Sequence, residues 1–388
     1  MTIDIGRARA ETPGTRTVTH LNNAGSSLPP QPVLDAVLDH LRLEAEIGGY
    51  EAAGRNDDKL ERTYDALASM LNCGRDEVAL VESATMGWDM AFHALDFRPG
   101  DRILTGMAEY ASNVIPFLQT ARRTGAEVEV VPSDEHGQLS VAALESMMDE
   151  RVRLIAVTHI PTNGGLVNPA PAIGRVAKAA GVPFLLDACQ AAGQMPLDVQ
   201  ELGCTFLSAT GRKFLRAPRG TGFLYVRKDW IERLEPPFLD LHGAELVAPG
   251  RYEARKDARR FELWESNVAA RIGLGVAVDY ALSWGLEAIR ERTWGLAQRL
   301  RERLAAVPGV TVRDLGERRC GIVTFTAEGR SAEAVKQALS AKGINVSVST
   351  ASSTRYDMDA RGLTELVRAS PHYYNTEDEL DRLVEALR

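Results

Sequence analysis

From about residue 60 to residue 230 the chain alternates helical stretches with short apolar segments: EVALVE (77–82), DRILTG (101–106), VEVVP (128–132), VRLIAVTH (152–159), VPFLLD (182–187), TFLSA (205–209) and GFLYV (222–226). Each segment has the length of a strand and is apolar along its run, as a strand buried on both faces must be. The helices between them are long enough to carry the chain back for a parallel neighbour. The pattern predicts an α/β fold whose large domain has a mostly parallel sheet covered by helices on both faces. At 388 residues and 45% hydrophobic, the chain can bury that core and a second, smaller one. A long helical zone (269–307) follows, then GVTVRDL, GIVTFTA, INVSV and ELVRASPHYY with helices between them, which predicts a smaller C-terminal α+β domain. The expected division is an N-terminal arm over 1–30, a large domain over 31–265 and a smaller domain over 266–388. Ahead of the sheet, Val33, Leu34, Val37, Leu38 and Leu41 recur at helical spacing until Gly48 and Gly49 end the run in a GGY loop.

The formal charge is −8. A balance of that sign argues against nucleic acid or an anionic membrane, either of which would want a basic patch, so neither is an expected partner. The opening MTIDIGRARAETPGTRTVTH has no apolar signal core, and no window approaches the roughly 18 apolar residues of a membrane span. A cytoplasmic location is the default expectation. Cys73, Cys189, Cys204 and Cys320 show neither metal-ligand nor disulfide spacing and read as reduced core thiols, with no metal implied.

In parallel α/β sheets, ligands gather at the carboxyl ends of strands. Asp187 ends VPFLLD, and Lys213 lies in FLSATGRKFLRAPRGTG (206–222), a turn that breaks both helical and strand periodicity. A strand-end carboxylate can hold a protonated ring nitrogen, and a lysine on a rigid turn can form an imine with an aldehyde. Together they describe pyridoxal 5'-phosphate chemistry, because that cofactor draws electrons only while its ring nitrogen stays protonated against an ionised carboxylate. Singly, an Asp closing a strand and a Lys solvating a loop are ordinary; the pair singles out the chemistry.

With these residues in place the chain resembles a fold-type I pyridoxal phosphate enzyme of the aminotransferase class V group, which includes cysteine desulfurases, isopenicillin N epimerase-like proteins and C–S lyases. The motifs run from residue 21 to residue 376. Lys213 matches the family's imine-forming lysine, in Thr210-Gly211-Arg212-Lys213 where the usual pattern is Ser-x-His-Lys. Thr210 and Arg212 can still bind phosphate, arginine as a bidentate donor. By the same resemblance Asp187 faces the ring nitrogen, and Gln190 and Asn163 contact the phenolic oxygen. Ala84 and Thr85, in ESATMGWD, open a helix whose N–H groups receive the phosphate; alone, that segment reads as an ordinary N-cap. Glu109-Tyr110-Ala111-Ser112-Asn113 stands where the family has a ring-stacking histidine, so Tyr110 takes that place, although a phenol is a poor acid or base near neutrality. Arg368, in ELVRASPHYYNTEDEL, matches the arginine that grips the substrate's carboxylate. Leu21-Asn22-Asn23-Ala24-Gly25 resembles a segment lining the substrate pocket, through Asn23. Ser266 and Asn267 resemble a segment that reaches a neighbouring subunit's phosphate, which implies a homodimer.

Cysteine desulfurases of this group need a mobile cysteine in the loop before the final arginine. Here that stretch reads Asn345-Val346-Ser347-Val348-Ser349-Thr350-Ala351-Ser352-Ser353-Thr354, and a serine hydroxyl cannot carry sulfane sulfur. HLRLEAEIGGYEAAG (40–54), the lysine turn and RRFELWESN are similar to ergothioneine-pathway sulfoxide lyases, which cleave the C–S bond of a cysteine conjugate. The expectation is therefore β-elimination on a small amino-acid substrate, with Lys213 as base and room for the sulfur group near Tyr50 and Tyr110. An aminotransferase or an amino-acid epimerase would use the same first proton removal. A non-enzymatic module would not keep both Lys213 and Asp187, and a nicotinamide-binding protein would need a Gly-x-Gly-x-x-Gly that the chain lacks.

Overall fold

The computed structural model describes residues 3–388, so the first two residues of the expected arm lie outside it. The seven apolar segments all form strands of one sheet: β1 (Val78–Val81), β2 (Arg102–Gly106), β3 (Glu127–Val131), β4 (Val152–Thr158), β5 (Phe184–Asp187), β6 (Phe206–Thr210) and β7 (Gly222–Val226). They lie in the order β1-β7-β6-β5-β4-β2-β3, and only β7 runs against its two neighbours. Alternation along each strand sorts side chains to opposite faces. Leu186, Leu207, Phe223 and Tyr225 join one buried cluster, and Leu185, Phe206, Leu224 and Val226 join the other. Both faces are thus covered along the central strands, which is why these read as continuous apolar runs, while the edge strand β3 alternates Glu with Val and is only partly covered.

A second sheet of four antiparallel strands follows, in the order Val310–Val312, Val323–Ala327, Glu365–Ala369, Ser347–Thr350. It has its own core, in which Val323, Phe325 and Val367 pack with Leu300 and Leu304 of helix Leu286–Ala305 and with Leu380 and Leu383 of helix Glu377–Leu387. At its edge the buried Arg301 donates through Nε to Asp314 Oδ2 (2.6 Å) and through Nη2 to the carbonyls of Cys320 (2.8 Å) and Ile322 (2.6 Å). Asp314 Oδ1 accepts from Thr324 N (2.7 Å) and Thr324 Oγ1 (2.6 Å), so both carboxylate oxygens are used. The arm joins this unit, since Thr19–His20 pairs in parallel with Ile344–Asn345.

Two helical expectations are modified. The long zone divides at Gly285, whose φ of +82° turns helix Val268–Trp284 by 81° from helix Leu286–Ala305. Val268–Trp284 is buried along most of its length, which accounts for its apolar composition. Among the described residues no single helix is long and apolar enough to cross a membrane. The GGY segment is a corner and not a loop: helix Gln31–Ile47 stops at Gly48, and a new helix, Gly49–Arg55, begins at once because Glu51, Ala52 and Ala53 favour helix and Ala52 finds a buried position.

Candidate active site

At the carboxyl end of the large sheet, Thr158, Asp187 and Ser208 stand side by side on β4, β5 and β6. Asp187 is 6% exposed. Its Oδ1 accepts from Cys189 N (2.8 Å) and its Oδ2 from Asn113 Nδ2 (3.0 Å), so two N–H groups aim it. Asn113 also donates to Glu109 Oε1 (2.7 Å), which places a second, fully buried carboxyl behind the first. Burial, reinforced by Asp187, pushes Glu109 up to about 7, despite hydrogen bonds from Thr158 and Asn113 that favour its charged form. The reading of residues 109–113 for Tyr110 alone missed this pair. Its signal was the i, i+4 spacing of Glu109 and Asn113 at a helix start.

Lys213 sits in a turn closed by Gly211 N to Thr221 O (2.9 Å), Ala217 N to Gly211 O (2.9 Å) and Arg216 N to Lys213 O (3.0 Å). The segment after Asp187 lies directly on this turn at Gly193, where a Cβ would come within 2.3 Å of the Leu215 nitrogen and φ is +88°. Arg216 fastens the turn from behind: Nε donates to Leu28 O (2.9 Å), Nη2 to Thr12 Oγ1 (2.6 Å) and Nη1 to the Tyr373 hydroxyl, with the guanidinium 4.5 Å from the Tyr374 ring centre. Burial lowers the Lys213 pKa, and Arg212 and Arg368 lower it further, against Cys189 and Asp187. A lysine in that setting is readily the neutral amine that attacks an aldehyde.

Arg368 comes from the small sheet, on strand Glu365–Ala369. It is buried; Nη1 donates to Thr162 Oγ1, and Nε has no partner. Burial, with Arg212 adding and the Tyr110 phenol opposing, brings its pKa down to about 10. A desolvated guanidinium with a spare N–H is an anion receptor. Gln190 Oε1 and Asn163 Oδ1 are likewise buried without partners, while Gln190 Nε2 donates to Ala24 O (3.1 Å) and Asn163 Nδ2 to Thr354 Oγ1 (2.8 Å). On the other side of the lysine turn, Ser83 caps helix Ala84–Phe92 by accepting from Met86 N (3.1 Å), and Ser208 Oγ donates to Ala84 O (2.6 Å). That holds the N–H groups of Ala84 and Thr85 at the sheet's edge, with Thr85 exposed. Thr210 Oγ1 donates to Thr221 O (3.3 Å) and Arg212 Nη1 to Gly25 O.

The remaining expected residues are placed differently. Asn23 is fully buried and fully used: Nδ2 donates to His20 O (3.3 Å) and Ser370 O (2.8 Å), and Oδ1 accepts from Tyr374 Oη (2.5 Å). It binds the arm to the small domain, and neighbouring Asn22 carries the unpartnered oxygen. Tyr110 begins helix Ala111–Thr124 at 38% exposure, whereas Tyr50 is 80% exposed on helix Gly49–Arg55 and is not enclosed with Arg368 in the chain. Asn267 is exposed and caps helix Val268–Trp284 by accepting from Ala270 N (2.9 Å), with Ser266 beside it.

The residues that converge fit pyridoxal phosphate. An aimed carboxylate, a buried lysine, a helix start, unsatisfied carbonyl oxygens on Gln190 and Asn163 and a spare N–H on Arg368 are the polar groups that such a ring, phosphate and amino acid can use. The family model for aminotransferase class-V matches residues 19–383. A probable cysteine desulfurase of Xylella fastidiosa (strain 9a5c) is 31% identical over 385 residues, covering 96% of this chain and 90% of that protein. One from Methanothermobacter thermautotrophicus is 30% identical over 387 residues, covering 98% and 96%. Among solved structures, the apo cysteine desulfurase of Thermococcus onnurineus NA1 superposes with a TM-score of 0.92 at 26% identity, covering 100% of this chain and 98% of that one. The cystine C–S lyase C-DES, bound to cysteine persulfide, has the same fold, with a TM-score of 0.87 at 24% identity and coverage of 97% and 98%.

Proposed function

The chain belongs to the aminotransferase class V family, whose cofactor is pyridoxal phosphate, and from that premise we propose that it cleaves the C–S bond of a cysteine conjugate or its sulfoxide by β-elimination. One observation carries the choice. The segment from Asn345 to Thr354, where a desulfurase of this family holds its sulfur-accepting cysteine, contains no thiol, and here it forms strand Ser347–Thr350 and a tight turn over Ala351–Ser353. No other cysteine replaces it. Burial pushes the thiols of Cys73, Cys204 and Cys320 up to about 12, and burial with Asp187 raises that of Cys189, so none is a ready thiolate. Elimination needs no protein thiol.

When bound, the cofactor supplies a sink for the electron pair left on Cα. Asp187, aimed by Cys189 N and Asn113, keeps the ring nitrogen protonated. Arg368 takes the substrate's α-carboxylate with its free Nε–H and orients the Cα–H bond. Lys213 would hold the cofactor's aldehyde at rest, and its amine is the base that would remove that proton. The Cβ–S bond then breaks with its electron pair leaving on sulfur, and hydrolysis of the three-carbon fragment yields pyruvate and ammonia. Asn163 and Gln190 would lie at the phenolic oxygen, Tyr110 would cover the ring, and Thr210, Arg212 and the N–H groups of Ala84 and Thr85 would receive the phosphate. Ser266 and Asn267 extend this set to a second copy of the chain, as a homodimer. Sulfoxides should react faster than thioethers, because their sulfur departs as a weaker base. The test is pyruvate formation from cysteine conjugates and their sulfoxides without any keto acid. A required keto acid and a new amino acid product would mean transamination, and inversion at Cα without pyruvate would mean epimerisation.

A further inference from the structure

The loop after β4 that carries Asn163 is held from outside by the small domain. Leu315 N donates to Gly164 O (2.7 Å), Cys320 N to Gly165 O (2.8 Å), and Arg361 Nη1 to Asn163 O (3.4 Å) while pairing with Asp357 (3.0 Å). One contact fixes the Asn163 side chain itself, the hydrogen bond from Nδ2 to Thr354 Oγ1, between two residues each 1% exposed. Thr354 cannot drift, since its N–H donates to Ala351 O (3.2 Å) and its carbonyl accepts from Met358 N (3.0 Å) where helix Arg355–Ala360 begins.

A primary amide has a donor end and an acceptor end, and a hydroxyl can meet either. In the arrangement above, the end of Asn163 turned away from Thr354 is the unpartnered Oδ1, which suits a donor. Half a turn of the amide gives Oδ1 a proton from Thr354 and presents two N–H groups instead, which suits a phenolic oxyanion. Either way Thr354 stays bonded. We infer that Thr354 is the positioning residue for Asn163, its hydroxyl anchoring the amide by acceptance or donation whichever end the cofactor calls for, so that cofactor binding is tied to the docking of the small domain. This rests on the reading that Asn163 faces the phenolic oxygen.

The experiment is a double-substitution cycle on the full-length enzyme, reading pyridoxal phosphate affinity and the visible absorption band, with kcat and KM alongside. Thr354→Val keeps the shape and removes both hydrogen-bonding roles; Thr354→Ser keeps them. Valine should weaken cofactor binding about tenfold, the worth of one buried hydrogen bond, and serine should restore it to within about twofold. In an Asn163→Ala background the valine effect should vanish, because the side chain it acts through is gone. Should the valine variant fail to fold, Thr354→Ala enters the same cycle. If Asn163→Ala leaves affinity and spectrum unchanged, the reading of Asn163 falls and the inference with it. If Asn163→Ala weakens binding but valine behaves as wild type, or keeps its effect without Asn163, the inference alone is overturned.

Discussion

Asp314→Asn changes one atom type and leaves the shape of the side chain intact, so its cost is electrostatic. Asp314 meets three donors on two oxygens: Arg301 Nε on one, and the Thr324 amide and hydroxyl on the other. Asparagine has a single acceptor oxygen. Whichever way its amide turns, an NH2 group faces a donor, and Arg301, 4% exposed, loses the only carboxylate in its ion pair. Removing one partner of a buried pair costs about 3–5 kcal/mol, against total stabilities of about 5–15 kcal/mol for folded domains. Urea unfolding should therefore show a midpoint far below wild type with an unchanged slope. The double variant Arg301→Met with Asp314→Leu should recover part of the loss, because it removes the charge that was stranded while leaving the Cys320 and Ile322 carbonyls and the Thr324 N–H without partners. A single-variant loss under about 1 kcal/mol would refute the reasoning, and so would a double variant as unstable as the single one, which would place the cost in shape instead of charge.

Arg368→Leu should raise KM for the amino-acid substrate by an amount equivalent to about 2–5 kcal/mol while leaving the bound cofactor's absorption in place; an equal loss of cofactor affinity would put Arg368 on the phosphate. Glu109, pushed from an ordinary 4.5 up to about 7 by burial, is stabilised in the folded cofactor-free protein as its protonated form. Its contribution is full below about pH 4.5 and is lost as pH rises through about 7, a change of about 3 kcal/mol. Wild type should lose stability relative to Glu109→Gln across that window, and parallel pH curves for the two would show that Glu109 does not titrate there.

The strands could be read from the chain because burial on both faces leaves an uninterrupted apolar record, and Asp187 and Lys213 because a charged residue at a strand end or in a turn breaks that record. Glu109 and Asn113 were harder, since a polar pair at a helix start looks like capping until β4 and β5 bring Thr158 and Asp187 against it. Asn23 looked available because sequence shows a side chain's capacity for hydrogen bonds but not the partners that consume it, here Ser370 and Tyr374 from the far end of the chain. Thr354 left no local signal, because its meaning lies in Asn163, 191 positions away.

The pairing of Thr19–His20 with Ile344–Asn345 also dictates an order of events during synthesis. His20 and its partner Asn345 are separated by 325 positions, which a ribosome takes roughly 20–60 s to cover. All seven strands of the large sheet lie between Val78 and Val226, so they emerge and can close within that interval, while Thr19–His20 wait for Ile344–Asn345. A nascent chain halted before residue 344 holds a complete set of large-sheet strands while Thr19–His20 still lack their partner strand.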